Sequence, residues 1–479
     1  MRLGVLLITL FASVSHLYGQ EQAEDRKLAD TCLMLPDKYF VVGSIKTEGN
    51  KVTRDQIILR EMEFSAGDTL KLTDYCRLSR KSRQNLLNLP LFNFVEIDTL
   101  PIEGLDDHKD VIINVIERWY IWPFPIFELA DRNFNSWWES RDFRRTNYGV
   151  FVTVNNVNGR METLRMLAKL GYNQNYYLSY EIPYLTKKQL FGAIIETGYQ
   201  LSRETFYAVK GHKYLHFRST DGYARRQSYA QLTMTLRPEI HNQHYFSLGY
   251  EHYRFADTII KLNPDMGVKQ SAEFQIFRLG YRFKSDFRDF RPYPLQGHYF
   301  ELYAEQRGFG LLSHEPVHFN LKATYDLYRQ INPMWHWAFT TTGKYIIGHS
   351  EPYQLQHGLG YGNEFVRGYE LYVVDGRNFG LFRSNLKYTV IKPKVRQLPL
   401  PVSERFSKIH YALYLNTILD AGYIHEPHPW PDNFLQNRML YSTGLGLDLV
   451  TYYDLVLRFE YVINHLGNGG FYIHFVAPI

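Results

Sequence analysis

Beyond Trp119 the chain alternates apolar and polar residues with a period of two, many times over. Leu164, Met166, Ala168 and Leu170 share one face of an extended segment, with Arg165, Lys169 and Gly171 between them. Phe277, Leu279, Tyr281 and Phe283 alternate with Arg278, Gly280, Arg282 and Lys284. Phe319, Leu321, Ala323, Tyr325 and Leu327 alternate with Asn320, Lys322, Thr324 and Asp326. Such alternation predicts strands that meet an apolar medium on one side only. Similar stretches begin near Tyr148, Asn175, Phe191, Ser228, Tyr245, Tyr299, Trp335, Gly380, Ile409, Tyr441, Asp454 and Gly470, and a sixteenth is read over Leu355 to Phe365. Each runs roughly 9–12 residues, the reach of a tilted membrane strand and longer than the common soluble one. A soluble sandwich also alternates, but it rarely calls for so many long strands charged on one face. Closure of about 16 antiparallel strands into a barrel places apolar side chains against lipid, polar ones around a wet lumen, and leaves no edge. That is the fold class expected for residues 125–479.

Residues 39–118 mix two periods and predict a small α+β domain. Tyr39 to Ile45 is strand-like, and Glu48-Gly49-Asn50 marks a turn. Ile57, Ile58 and Met62 fall at helical spacing after Thr53, a suitable N-cap. A second helix is read around Tyr75 to Leu87, with Leu78, Ser82 and Leu86 on one side. Phe94 to Ile97 and Val111 to Ile116 are strand-like, which makes the order β-α-α-β-β.

Residues 1–19 have the charged, apolar, then small-residue order of a secretory signal peptide: Met1-Arg2, Leu3 to Val14, and on to Gly19. Export makes a disulfide between Cys32 and Cys76 permissible, and spacing leaves the paired and the free state open. An aromatic share of 16%, with 38 Tyr and 32 Phe, suits girdles at two membrane interfaces. A mean hydropathy of −0.34 excludes a multi-span helical membrane protein. The net charge of +5 is spread along the chain, so no nucleic-acid partner is expected.

Phe365-Val366-Arg367-Gly368-Tyr369 follows Gly358, Gly360 and Gly362 in a loop-like region. An arginine in a narrow lumen needs acceptors, because a buried unpaired guanidinium is costly. Tyr411, Leu413, Leu415, Thr417 and Leu419 point outward, which turns Asn416, Asp420 and Gly422 inward and makes Asp420 the acceptor expected for Arg367. Gly368 allows a tight reversal, with Tyr369 packed beside the wall. Asp286-Phe287-Arg288-Asp289, followed by Pro292, Pro294 and Gly297, sets acids and an arginine close enough for local salt bridges. Gly444 and Gly446 point into the lumen and leave room there for a folded-in loop. The last strand alternates through Phe471, Ile473 and Phe475 but closes on Val476-Ala477-Pro478-Ile479, and Pro478 cannot donate to a ladder. Together with Gly467, Gly469 and Gly470, this predicts weak pairing with a first barrel strand near Tyr148, a seam marked by Tyr148, Gly470 and Phe471.

The Val366 to Tyr369 tetrapeptide resembles the signature of the BamA/TamA superfamily of outer-membrane assembly and translocation barrels, of bacterial surface antigen type. The amino-terminal unit resembles the POTRA domain of that superfamily through Ile45 to Asn50, the helix after Thr53, Leu91 to Val95 and the strand ending at Glu117. The resemblance covers nearly all of the mature chain and departs from the family at the terminal residue, which is not aromatic. It implies a cell-outer-membrane location and a loop tip folded into the lumen, its arginine paired with the acid of Asp420-Ala421-Gly422. It implies a seam that admits a client strand or lipid. It implies an activity in outer-membrane protein assembly, insertion or translocation by strand addition. The expected partners are outer-membrane lipid, an extended client at the POTRA edge and the seam, and periplasmic or lipoprotein subunits. Alternatives are a secretion pore dedicated to one partner protein and a lipid-handling barrel. No G-x-S-x-G, H-E-x-x-H or zinc-spaced Cys/His cluster occurs, so neither enzyme, cofactor nor metal site is expected, and a hydrolase on the barrel rim is the remote rival.

Overall fold

The computed structural model describes residues 38–129, 145–348, 352–397, 408–451 and 455–476. The expected signal segment, Cys32 and the closing tripeptide 477–479 lie outside them. The N-terminal domain runs β1 (Tyr39–Glu48), α1 (Asp55–Leu59), β2 (Thr69–Lys71), α2 (Leu72–Leu87), β3 (Phe92–Ile102) and β4 (Leu105–Glu117). Its sheet has the order β2-β1-β4-β3, with β1 and β4 parallel. Ile57 and Ile58 of α1 and Leu86 of α2 bury against Phe40, Val42, Val95 and Ile113 of the sheet. The one element unforeseen in sequence is β2, three residues long. Thr53 does not cap α1. Arg54 takes that position, and the Thr53 hydroxyl donates to Glu117 Oε1 at 2.7 Å instead. Cys76, on α2, is disulfide-bonded.

One sixteen-stranded antiparallel sheet follows. It opens with β5 (Ile121–Leu129), β6 (Thr146–Val157), β7 (Glu162–Gly171), β8 (Gln174–Ile182) and β9 (Phe191–Ser202). A separate hairpin of β10 (Glu204–Lys210) and β11 (Lys213–Arg218) intervenes before β12 (Arg225–Leu236) and β13 (Asn242–Phe255). A short α3 (Asp257–Leu262) leads to β14 (Glu273–Asp286), β15 (Gly297–Arg307), β16 (His318–Gln330) and β17 (Trp335–Ile347). The sheet ends with β18 (Asn378–Gln397), β19 (Lys408–His425), β20 (Met439–Val450), β21 (Val456–Asn464) and β22 (Gly469–Val476).

The two faces are read most plainly on β20. Met439, Tyr441, Leu445 and Leu447 are exposed while Ser442, Gly446 and Asp448 are buried. The same exterior carries Ile195, Leu248, Leu279, Leu419 and Phe475, all exposed. Hydrocarbon outside and water or protein inside is the arrangement that satisfies both faces.

Sixteen strands are present, but not the sixteen expected. Leu355 to Phe365 is no strand. It belongs to the long β17–β18 connection, where Gly360 and Gly362 have φ of +94° and +58° and Leu359 makes only an isolated bridge to Val374. The strand missed is β5, which begins at Ile121, ahead of the expected start at residue 125. Its Ile-Trp-Pro-Phe-Pro-Ile-Phe run has no polar face, so the period-two signal is missing. Tyr148 therefore lies on the second strand, paired with Phe127 on one side and Leu170 on the other.

The N-terminal domain is seated on the barrel end from which β5 rises. Arg237, after β12, meets Glu61 in a bidentate pair at 2.6 and 2.9 Å, and its Nη1 also donates to the Tyr184 hydroxyl at 2.7 Å. Beside it, Asn156 of β6 donates to the Thr53 hydroxyl at 2.9 Å, and the Gly159 carbonyl accepts from Arg54 N–H at 3.0 Å. Glu61 and Arg237 are both buried, so removal of one partner strands the other charge. Glu61→Ala is expected to weaken the seating by about 3–5 kcal/mol, and Glu61→Leu with Arg237→Leu to recover most of it. Limited proteolysis at residues 118–120 checks this. Equal cleavage of wild type and Glu61→Ala would remove the latch.

Candidate functional site: the lumen loop and the open seam

The β17–β18 connection turns back into the barrel, and its tip is pinned by charge. Arg367 Nε and Nη2 donate to Asp420 Oδ2 and Oδ1 at 2.8 and 2.5 Å, and the Arg367 N–H adds a third bond to Oδ2 at 3.2 Å. Nη2 also reaches Asn385 Oδ1 at 2.7 Å, and Nη1 reaches Glu460 Oε1 at 3.3 Å. The guanidinium thus bridges inward residues of β18, β19 and β21. Bidentate geometry with extra acceptors is what a buried ion pair needs to offset desolvation.

The tip itself is shaped by glycine. Gly368 has φ of +86°, and its carbonyl accepts from Asn464 Nδ2 at 2.8 Å. Tyr369 is buried, with its hydroxyl on His465 Nδ1. Val366 packs among Leu359, Val374, Leu381 and Ile424. Gly422 makes this possible, since a methyl there would lie 2.6 Å from Val366 Cγ2. At Gly444 and Gly446 the nearest atoms belong to the barrel wall. A methyl on either would meet strand atoms first, Tyr461 and Val462 for the former and Asn416 and Glu460 for the latter.

Three wall residues escaped the sequence reading: Asn385, Glu460 and Arg383. Arg383 donates to the Asn363 and Phe365 carbonyls, at 2.8 Å for the former, and lies over the Phe365 ring at 5.0 Å. Glu460 was within reach of a pattern argument, as the inward-facing acid of its strand. Nothing local marks Asn385 or Arg383.

The connection between β14 and β15 spans the domain-side mouth. Its Asp286 carboxylate takes Arg288 at 2.7 Å and Arg291 at 2.8 Å, so the expected local ion pairs are present. Asp289 Oδ1 accepts from the Phe290 and Leu295 N–H groups. The turn then reaches the far wall, where Tyr293 stacks on Tyr414 of β19 at 4.7 Å and donates to Asp448 of β20 at 2.8 Å. Asn88, at the end of α2, accepts from the Arg291 N–H at 3.0 Å.

Among the described residues no ladder joins β5 to β22, the two ends of the sheet. The Tyr120 carbonyl accepts from the Asn155 N–H at 2.8 Å, which sets the phase of the β5–β6 ladder. Even-numbered residues of β5 therefore bond to β6, and the odd-numbered Pro123 and Pro125 turn their nitrogens to the open side. Two missing donors sit on the seam edge. The edge strands are therefore β5 and β22, with Gly470 and Phe471 on β22, while the expected first strand with Tyr148 is the second of the sheet.

The Omp85 superfamily domain model matches residues 156–385, and the surface antigen variable number repeat model, POTRA, matches residues 40–118. The chain belongs to the Omp85 superfamily, as a POTRA domain followed by a β-barrel of the outer membrane. Over 86 residues it is 31% identical to outer membrane protein assembly factor BamA of Neisseria meningitidis serogroup B, a match that spans 17% of this chain and 10% of that protein. CdiB from Escherichia coli has a similar fold, with a TM-score of 0.51 at 12% identity over 91% of this chain and 75% of that one. BamA from Haemophilus ducreyi lacking POTRA domains 1-3 aligns with a TM-score of 0.49 at 18% identity, over 91% of this chain and 83% of that one.

Two outcomes test the loop. Gly422→Val is expected to push Val366 aside and free the tip, so that a Tyr369→Cys reporter labels about tenfold faster, the change produced by ~1.4 kcal/mol of lost docking. Unchanged labelling would show that Gly422 makes no room for the loop. The second concerns Asp375, on the returning arm. Burial raises its carboxyl to about 6, against donations from Tyr353 at 2.6 Å and from Tyr361. A folded value above the unfolded one of about 3.9 means that the docked arm holds the proton more tightly. Docking is then weakest above about 6 and gains as pH falls toward about 4. Hydrogen-exchange protection of residues 353–375 should be higher at about pH 5 than at about pH 7.5, a difference that Asp375→Asn removes.

Proposed function

We propose that this barrel aids outer-membrane protein assembly or translocation by adding an extended client strand at the seam between β5 and β22. The observation that carries the reading is the open edge of β5. Unpaired backbone groups within a bilayer have no water to satisfy them, so an edge there is a template for another strand. Pro123 and Pro125 keep it open, because a ladder across that edge would lack two donors. The similarity to a protein named an assembly factor supports the same activity.

The client would first meet the POTRA sheet, in which β3 is a long edge strand. It would then pass to the seam. Periplasmic or lipoprotein partners would deliver it, and no cofactor takes part. A second reading, a secretion pore for one partner protein, draws on the Arg367 pin: release of the loop would open the lumen. Conductance that rises in Arg367→Ala while barrel assembly stays intact would favour the pore.

In-cell crosslinking from Phe127 and Phe471 tests strand addition. Nascent barrel proteins in the adducts are expected, and adducts of lipid alone would overturn it. Pro123→Val with Pro125→Val restores both donors and should zip the seam, which raises the heat needed to unfold the barrel and depletes the adducts. Unchanged adducts would show that the prolines do not hold the edge open.

A further inference from the structure

Below the loop tip the lumen holds a cavity of about 460 Å³, within the ~300–1,000 Å³ range of small-ligand sites. Its charged lining is one-sided. Arg367, Arg383, Lys387 and Arg458, with His474, face one carboxylate, Glu460. Glu460 is already engaged, by Arg367 at 3.3 Å and by His474 at 3.3 Å. Arg383 donates to main-chain carbonyls. Lys387 is 4% exposed and rests over the Tyr293 ring at 3.9 Å. Among the described residues, neither Arg383 nor Lys387 has a carboxylate within 4 Å. Arg458 approaches Asp448 no closer than 3.8 Å, and its Nε has no hydrogen-bond acceptor. Asp448 and Asp289 act on Lys387 only from beyond 4 Å, and a buried ammonium with no acid in contact is an expensive arrangement unless an anion visits.

The cavity also has a direction. It reaches Phe475, near the end of β22, and β22 ends on the POTRA side of the membrane. That level is the inner leaflet, and β22 is one border of the seam. The opposite border, β5, is apolar on its luminal face as well as its outer one. Trp122 stacks on Phe124 at 6.1 Å, and Phe124 on Phe151 of β6 at 6.4 Å. An occupant drawn from this seam would need an anionic head for Lys387 and Arg383 and an apolar body for β5.

We infer that the cavity lined by Arg383, Lys387 and Arg458 is a binding site for a phosphate-class oxyanion, carried by the head group of a lipid that enters from the inner leaflet through the seam. This does not rest on strand addition, since the site needs only the open border and two cations, Arg383 and Lys387, that have no carboxylate in contact. Lys387 and Arg383 hold the phosphate oxygens by charge-assisted hydrogen bonds, and the acyl chains stay along β5 and the bilayer.

The test uses the full chain in non-ionic detergent, titrated separately with phosphatidylglycerol, dioleoylglycerol and inorganic phosphate and read by native mass spectrometry. One phosphatidylglycerol per chain is expected, with affinity about tenfold lower or worse in Lys387→Met and in Arg383→Gln. Arg165→Gln, in a separate cavity, should bind as wild type does. Dioleoylglycerol, which lacks the phosphate, should not be retained. Inorganic phosphate that displaces the lipid at millimolar concentration assigns the site to the oxyanion, and failure to displace assigns it to the whole lipid. Equal retention in wild type and both variants overturns the inference, as does an equal loss in Arg165→Gln. Heat-modifiable electrophoretic mobility reports the fold of each variant, and Arg383→Gln carries the test if Lys387→Met does not fold. Client crosslinking at the seam is a separate readout, so one proposal can fail without the other.

Discussion

A strand within hydrocarbon has no water to bond to, and every feature of this protein follows from where that demand is met and where it is not. Fifteen ladders satisfy the backbone around the sheet, and the apolar outer side chains follow from the same medium. Among the described residues the demand is left open at the border between β5 and β22. Proline makes the opening permanent in chemistry, since no conformational change returns an N–H to Pro123 or Pro125.

The interior obeys a different constraint. Charge brought into a narrow lumen must be matched in place, and Arg367 is matched with unusual thoroughness, by acceptors from three separate strands. Because its partners are spread around the wall, the pin also ties those strands together behind the seam. Its tip is then positioned by backbone constraints. Positive φ at Gly368 and the missing side chain at Gly422 decide how deep the tip sits.

Much of this was legible in the sequence, and the exceptions have physical causes. The alternation on β7, β14 and β16 comes from one-sided contact with lipid, so it survives without any knowledge of neighbours. The Arg367 and Asp420 pair could be foreseen because parity on β19 turns Asp420 inward and a luminal guanidinium needs an acid. β5 was illegible because both of its faces are apolar, which erases the signal on which strand assignment rests. The expected strand over Leu355 to Phe365 had apolar residues at suitable spacing but no partner, and pairing is not a local property. The seating of the POTRA domain was invisible for the same reason, since Glu61 and Arg237 are separated by 176 positions.

The β14–β15 connection ties distant parts of the molecule into one mechanical path. Asn88 of the POTRA domain grips it at one end, and Tyr293 leans on Tyr414 and Asp448 of the opposite wall at the other. The same tyrosine ring lies under the Lys387 ammonium. One short connection thus puts a POTRA-domain side chain, two wall strands and the luminal Lys387 in a single chain of direct contacts.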